Sequence, residues 1–316
     1  MDIDIEDYCE QGRVVFDHGY RIGARPVSCH DYLEVLIMDA PLTIPQLKSV
    51  YDLMSLKGRT AFITGGGGGF GSAAAAGMAE VGANVMLMDL PSAEERVSLI
   101  AQQIRERYGA RVNYVLGDVS DEKRVIEMID QTASEFGSLD ICFSNGGVGL
   151  NPDDPSTMPL EVWQRMLDIN LTGMFLVGRT AALKMIELGT KNGSMVFTAS
   201  MSGHIINQNR EGAPEHMVAY AATKAATIHL AKSFAVNYAH KNIRANSISP
   251  GLMHSGLHKR MGWDVSDMPD TGYPYIPLNR WGTLDEMIGL LVFLASDMSS
   301  YVTGADIVID GGYTVW

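Results

Sequence analysis

Short apolar runs alternate with longer helical segments through most of the chain. Seven of the runs hold four to six residues each, and most of them are largely apolar at successive positions. This pattern is typical of strands that are buried on both faces, whereas the segments between them have the length and spacing of helices. The pattern predicts strands at 59–64, 84–88, 112–116, 139–144, 194–199, 244–249 and 306–309, and helices at 72–81, 93–108, 121–136 with Ser120 as N-cap, 160–185, 218–238 and 284–294.

Strands of this kind, joined by helices, predict an α/β fold: a Rossmann-type, doubly wound sheet of seven parallel strands with helices on both faces. Ligands of such sheets bind at the carboxyl ends of the strands. The unusual residues of the sequence fall at those ends, so we expect one site there. They are the glycine-rich segment 65–71, Asp89, Asp118, Asn145, Ser200 and Pro250-Gly251.

The domain organisation is predicted as one domain over residues 56–316, which holds the whole of the expected site, preceded by an arm over residues 1–55. No linker interrupts the domain. The arm is acidic and contains Pro26, Pro41 and Pro45, but its apolar cluster at 32–38 is unlike a disordered tail. We expect the arm to pack on its own core or on a neighbouring subunit; covering the substrate is the alternative.

Composition and charge exclude several classes of function. With 46% hydrophobic and 19% charged residues, the 316-residue chain is globular. Its net charge of −13 argues against a nucleic-acid partner. The acidic first residues are unlike a signal peptide, and no run approaches the roughly 18 apolar residues of a membrane span. Cys9, Cys29 and Cys142 form no disulfide framework, and Cys142 is expected to be an inert core residue. These features predict a soluble, cytoplasmic protein.

Five consecutive glycines, 65–69, separate an apolar strand from an alanine-rich helix. Glycine lets the backbone approach a phosphate closely, and the helix N-terminus adds unpaired N–H groups. A flexible linker has no reason to stand between a buried strand and a helix. The segment therefore predicts a phosphate-binding loop.

Asp89 follows the second strand, about twenty residues beyond the glycine loop. An acid at this place binds the ribose hydroxyls of an adenine dinucleotide and repels a 2′-phosphate. The loop itself has no Arg or Lys to accept such a phosphate. Asp89 thus favours NAD over NADP; the alternative is an ordinary turn aspartate before Leu90-Pro91.

Tyr220 and Lys224 lie four residues apart, on one face of a predicted helix. A fixed cation near a phenol favours the phenolate. With the help of a cofactor cation, we expect the pKa of Tyr220 to fall by roughly two to three units, which takes about 3–4 kcal/mol. By itself the spacing is common, and a surface pair is the alternative.

Taken together, these motifs resemble those of the short-chain dehydrogenase/reductase family over residues 56–316. Ser144 and Gly146 depart from the family's Asn-Asn-Ala-Gly run, and both changes are small. The matching motifs are Thr64-Gly65-x-x-x-Gly69-x-Gly71, Asn145-Gly146-Gly147, Asn170, Ser200, Tyr220-x-x-x-Lys224, Pro250-Gly251 and the closing segment 304–312.

The resemblance implies a role for each of these positions. Tyr220 would be the general acid/base, Lys224 would hold the nicotinamide ribose and lower the pKa of Tyr220, Ser200 would bind the reacting oxygen, and Asn170 would anchor a relay water. It also implies a homo-oligomer, a tetramer or dimer, built on helices 160–185 and 218–238. The cofactor would be NAD, with Gly65, Gly69, Phe70 and Gly71 at the pyrophosphate, Asp118 and Val119 at the adenine, Met253 at the carboxamide, and Asp89, Asn145, Gly146, Tyr220, Lys224, Pro250 and Gly251 completing its site.

The loop between Ser200 and Tyr220 is longer than is usual in the family, because 20 residues separate the two. Its extra length, within 203–216, carries Asn, Gln, Arg and His side chains suited to a polyhydroxylated substrate; a solvated surface loop is the alternative. The local sequences around Ser200 and Pro250, at 200–205 and 246–251, are most similar to those of the family's sugar-alcohol dehydrogenases.

The resulting hypothesis is an NAD-dependent enzyme that interconverts a secondary alcohol and a ketone, with a polyol or ketose as its small-molecule substrate. The alternatives are a hydroxysteroid or other apolar alcohol dehydrogenase, favoured by segments such as 261–263, and a non-catalytic dinucleotide-binding protein. His254 and His258 have a zinc-like spacing, but no third ligand is in view, so no metal is expected. Met201, Met253 and Met261 are expected to be apolar lining.

Overall fold

In the computed structural model, the described residues are 21–22, 25–26, 47–150, 154–207, 217–256 and 274–315. The chain divides into two compact units, Met1–Lys48 and Ser49–Trp316. In the first unit, the described strands β1 (Arg21–Ile22) and β2 (Arg25–Pro26) pair antiparallel. The apolar cluster at 32–38 lies outside the described residues, and the arm over 1–55 stays a prediction.

Parallel strands form the sheet of the second unit. In the described part of this unit there are seven of them, in the order β5-β4-β3-β6-β7-β8-β9, which confirms the predicted fold class. Each agrees with a predicted strand to within two residues at either end. Their bounds are β3 Thr60–Thr64, β4 Asn84–Asp89, β5 Val112–Leu116, β6 Ile141–Ser144, β7 Gly193–Thr198, β8 Ile243–Pro250 and β9 Asp306–Ile309.

Both faces of the sheet are buried. Successive strand residues point to opposite faces, and apolar residues lie on each face. In β3, Ala61 and Ile63 belong to one core cluster, and Phe62 belongs to a second. The first cluster lies under α2, α3 and α8, and the second under α4, α6 and α7. The helices are α1 Val50–Met54, α2 Gly69–Glu80, α3 Glu94–Tyr108, α4 Glu122–Phe136, α5 Leu160–Leu167, α6 Gly173–Glu187, α7 Val218–Tyr238 and α8 Leu284–Ala295.

Apart from shifts of one or two residues at helix ends, the helices differ from the prediction in three ways. The helix expected over 160–185 is interrupted by a π-helical segment, Asp168–Thr172, between α5 and α6. The N-cap of α4 is Asp121, whose side chain accepts from the Arg124 N–H, and not Ser120. Helix α2 begins at Gly69, so the last glycines of the loop form its first turn.

The predicted inert cysteine is confirmed. Cys142 lies in β6 with 1% of its surface exposed. Burial raises the pKa of its thiol to about 12, so the reactive thiolate is not populated at neutral pH. Cys9 and Cys29 lie outside the described residues. No helix among the described residues combines the length and the apolar character needed to cross a membrane.

Candidate active site

The candidate site is a cleft at the carboxyl ends of the strands. The chain leaves β3 towards β4 on one side and reaches β6 on the other, and ligands of doubly wound sheets bind at such a reversal. Asn170 and Gly71 do not line the cleft; Asn170 is fully buried behind its wall. The lining includes the other predicted site residues: Gly65, Gly69, Phe70, Asp89, Asp118, Val119, Asn145, Gly146, Ser200, Tyr220, Lys224, Pro250, Gly251 and Met253.

The glycine loop is shaped to receive a phosphate group. Gly65 has φ +66°, which a side chain rarely permits, and a Cβ on Gly71 would lie 2.2 Å from the Gly65 carbonyl oxygen. Gly68 caps α2 without a side-chain hydrogen bond, so the N–H groups of the first turn remain available to a ligand. This uncapped helix start fits the pyrophosphate of a dinucleotide.

Asp89 is held at the end of β4 by the backbone. Its Oδ2 accepts from the Gly67 N–H over 2.8 Å, and its Oδ1 accepts from the Leu90 N–H over 2.8 Å. A Cβ on Gly67 would lie 2.9 Å from Asp89 Oδ2 and 3.0 Å from Arg96 Nε. A carboxylate and a guanidinium therefore border the same stretch of the cleft, the place expected for the adenosine ribose.

Asp118 is tied to a basic residue that the sequence analysis did not single out. Arg165, from α5, donates to Asp118 Oδ2 over 2.9 Å, and Ser120 donates to Oδ1 from both its N–H and its hydroxyl. Burial alone would raise the pKa of Asp118, but the bonds from Ser120 and Arg165 together lower it. The carboxylate thus stays ionised and fixed in place.

Asn145 connects three strands below the cleft. Its N–H and that of Gly146 both lie 2.9 Å from Thr64 Oγ1 at the end of β3. Its side chain donates to the Thr64 carbonyl oxygen over 3.2 Å and accepts from the Thr198 hydroxyl over 3.1 Å. Asn145 therefore fixes the spacing of β3, β6 and β7 where the cleft opens.

Ser200, Tyr220 and Lys224 meet at the floor of the cleft. All three are buried, and the Tyr220 side chain is hydrogen-bonded to that of Ser200. Burial raises the pKa of Tyr220, which this bond only partly opposes, and burial lowers the pKa of Lys224 to about 7. The expected fall in the pKa of Tyr220 is therefore not produced by the protein's own groups, because desolvation outweighs the hydrogen bond with Ser200.

Known proteins with the same organisation identify the family. A family model described as enoyl-(acyl carrier protein) reductase matches residues 66–314. The NADP-dependent mannitol dehydrogenase of Alternaria alternata is 35% identical over 277 residues, 87% of this chain and 99% of that one. The chain is a short-chain dehydrogenase/reductase.

Two further relatives agree with this membership. A sorbose reductase of Schizosaccharomyces pombe is 36% identical over 83% of this chain and 98% of its own. A crystal structure of a short-chain type dehydrogenase/reductase from Mycobacterium marinum superimposes with a TM-score of 0.77 at 40% identity, covering 84% of this chain and 99% of that one. The predicted family is confirmed, and with it an oxidoreductase that uses a nicotinamide dinucleotide.

In this short-chain dehydrogenase, Asn170 lies in the π-helical segment between α5 and α6. Its amide accepts from the Val148 N–H and donates to the Val148 carbonyl oxygen, both over 2.8 Å. A Cβ on Gly147 would lie 3.3 Å from Asn170 Oδ1 and 3.4 Å from Lys224 Nζ. Asn170 Oδ1 and Lys224 Nζ therefore both lie close to Gly147, and the π-turn that carries Asn170 is of a kind frequent at functional sites.

Several lining residues escaped the sequence analysis or were seen only as part of a loop. Arg96 and Arg165 lie on helices, and the hydrophobic pattern of those helices does not show which of their residues line the cleft. Ser202 and Asn207 line the cleft close to Ser200, and Asn207 belongs to the predicted polar loop within 203–216. Residues 208–216, His258 and Met261 lie outside the described residues. Met201 and Met253 line the cleft as expected, and His254 packs against Trp281 with ring centres 5.3 Å apart.

Proposed function

We propose that this short-chain dehydrogenase uses NAD to interconvert a secondary alcohol and a ketone, with a polyol or ketose as substrate. The observation that carries the proposal is the hydrogen-bonded pair Tyr220 and Ser200, with Lys224 beside it, in the same cleft as the uncapped start of α2. A proton-transfer group and a dinucleotide cradle that share one cleft support alcohol–ketone chemistry rather than binding alone.

Each residue of the cluster has a proposed role. Ser200 hydrogen-bonds the reacting oxygen, and Tyr220 gives its phenolic proton to that oxygen in reduction or takes the hydroxyl proton in oxidation. Lys224 holds the nicotinamide ribose, and Asn170 anchors a water that connects Lys224 to solvent. When bound, the nicotinamide cofactor supplies or accepts the hydride.

The proposed cofactor is NAD because the Asp89 carboxylate lies where the adenosine ribose is expected. It can accept from ribose hydroxyls and would repel a 2′-phosphate. NADP is the second candidate, since Arg96 borders the same place and the related mannitol dehydrogenase is named as NADP-dependent. Titration of the protein with NAD and NADP in parallel separates the two.

Relatives named for mannitol and sorbose support a polyol or ketose substrate, as do the polar side chains of Ser202 and Asn207, which line the cleft close to Ser200. The second candidate, an apolar alcohol such as a hydroxysteroid, is favoured by Met201, Met217 and Leu252 in the same lining.

The test is a panel of hexitols, ketohexoses and hydroxysteroids, assayed at 340 nm with each cofactor. We expect oxidation of hexitols with NAD or reduction of ketohexoses with NADH. Turnover of steroids alone would overturn the substrate class. Cofactor binding without any turnover would favour the non-catalytic alternative.

We also propose a cytoplasmic homo-oligomer. Phe175 and Leu183 on α6 and Val236 on α7 are large apolar side chains with 39%, 55% and 81% of their surface exposed. Apolar side chains on neighbouring helices are suited to pack against a second copy of the chain. Light scattering coupled to gel filtration measures the mass, and a monomer at micromolar concentration would contradict the proposal.

A further inference from the structure

A chain of polar contacts leads away from Ser200 along the wall of the cleft. The Ser200 and Ser202 hydroxyl oxygens lie 3.2 Å apart, and the Ser202 hydroxyl lies 3.1 Å from Asn207 Oδ1. These three residues are buried, with 7%, 4% and 6% of their surface exposed, and all line the cleft. These hydrogen bonds connect Ser200, the proposed binding point of the reacting oxygen, to the Asn207 amide further along the same wall.

The orientation of the Asn207 amide follows from its two contacts. Its other polar atom lies 3.5 Å from the Met217 sulfur, which can only accept, so this atom is the nitrogen. The oxygen therefore faces Ser202 and accepts its proton. Ser202 Oγ in turn can accept from Ser200, and its own proton stays with Asn207 whether Ser200 donates to Ser202 or to the reacting oxygen.

Asn207 keeps hydrogen-bonding capacity that the described residues do not use. Its amide nitrogen carries two N–H groups, and in the described part of the chain the partner of this nitrogen is a thioether sulfur, a weak acceptor. A buried amide with so weak a partner is unfavourable unless a ligand completes it. The neighbouring lining is apolar, with Met201, Met217 and Leu252, so the amide is a distinct polar point on this wall.

We propose that Asn207 binds a second hydroxyl group of the substrate and so selects compounds with more than one hydroxyl over simple secondary alcohols. This inference rests on the proposed alcohol–ketone chemistry at Tyr220. A hydroxyl both donates and accepts, and the amide offers an N–H together with a lone pair of an oxygen already held by Ser202. Asn207 thereby fixes which carbon of a polyol is presented to Tyr220.

The test compares two substrates that differ by one hydroxyl group, 2,3-butanediol and 2-butanol. Asn207→Leu keeps most of the side-chain volume and removes the amide, and Asn207→Asp keeps the acceptor for Ser202 but removes the donor. We expect both variants to lower kcat/KM for the diol at least tenfold more than for 2-butanol, mainly through KM. Asn237→Leu is the matched control, because Asn237 is exposed on α7 and donates to the Ser233 carbonyl oxygen.

The outcomes separate this inference from the proposed function. Equal losses on both substrates, with an unchanged melting temperature, would mean that Asn207 only supports the fold of its loop and would overturn the inference. A wild-type enzyme that oxidises 2-butanol as efficiently as the diol would also overturn it while leaving the proposed chemistry intact. Absence of turnover on every alcohol and ketone of the panel would instead overturn the proposed function.

Discussion

Lys224 Nζ donates to the Thr198 carbonyl oxygen over 2.8 Å, at the end of the strand that leads to Ser200. The same amine lies 5.5 Å from the centre of the Tyr220 ring. Within the described part of the chain, no carboxylate forms an ion pair with it. Burial therefore lowers the pKa of the amine to about 7, and it raises the pKa of the phenol by more than the hydrogen bond with Ser200 lowers it. The resting cleft disfavours charge on the two groups that the proposed chemistry uses.

The first prediction concerns Tyr220→Phe, which removes the phenolic proton and little else. We expect kcat/KM to fall by roughly 10²–10⁴ in both directions, the usual contribution of a general acid or base. Cofactor affinity should change much less. Tyr238→Phe is the matched control on the same helix, where the ring packs against Phe234 with centres 5.6 Å apart. Unchanged rates in the Tyr220 variant would show that another group transfers the proton.

The second prediction is that Lys224→Met abolishes turnover and stabilises the protein at neutral pH. Below pH 7 the native state contains a buried, protonated amine, which costs folding free energy because the pKa of this amine is lowered from 10.5 to about 7. Above pH 7 the native state loses this proton, and the cost disappears as the pH rises towards 10.5, where the unfolded state loses it too. Because the Thr198 carbonyl also loses its donor, we expect a net gain of about 1–3 kcal/mol at pH 7.

The gain should shrink as the pH is raised towards 10, which denaturant unfolding at several pH values measures. Lys232→Met, at an exposed position of the same helix, should show no such dependence on pH. A loss of stability at every pH would contradict the buried, uncompensated amine.

The third prediction tests cofactor choice at Asp89. Asp89→Ala removes a charged acceptor, so NAD affinity should fall about 10- to 100-fold, and NADP affinity should rise because the repulsion is gone. Arg96→Gln is the complementary variant and should weaken NADP binding more than NAD binding. Equilibrium titration followed by intrinsic fluorescence measures both. A wild-type protein that binds NADP more tightly than NAD would refute the assignment to NAD.

The fold could be read from the sequence because its signal is repeated and local. Consecutive apolar residues in a strand, such as Ala61, Phe62 and Ile63, point to both faces of the sheet, so both faces must be buried, which implies a doubly wound sheet. The π-helical segment Asp168–Thr172 could not be predicted, since one extra residue in a turn leaves the local composition unchanged.

The site was predictable where chemistry and sequence spacing coincide, and not elsewhere. Arg96 and Arg165 reach the cleft only through the packing of their helices, and nothing in the neighbouring sequence marks them. The pKa of Tyr220 shows a different limit. Its spacing to Lys224 indicates a nearby cation, but whether the pKa rises or falls depends on burial, which the spacing does not reveal. Asn207 belonged to a polar run in which no residue stood out.

Asp306, at the start of β9, is the centre of a second polar cluster, which includes His204 from the segment that leads to Asn207. Its carboxylate contacts the Ser247 hydroxyl at 2.5 Å and the Ser249 hydroxyl at 2.9 and 3.0 Å. Its Oδ2 also lies 2.7 Å from His204 Nε2, which must be the donor because a carboxylate only accepts. Ser247 and Ser249 are fully buried, whereas about a third of the His204 side chain is exposed.

The fourth prediction follows from that difference in burial. Asp306→Ala leaves two buried hydroxyls without their acceptor and should cost about 2–4 kcal/mol of unfolding free energy, measured in urea. His204→Ala should cost less than about 1 kcal/mol, because the partly exposed pair is solvent-screened. The histidine variant should instead raise KM for a diol, since His204 anchors the segment that carries Asn207. Equal destabilisation by both variants would contradict this division, and an unchanged KM would mean that the segment holds its position without the His204–Asp306 contact.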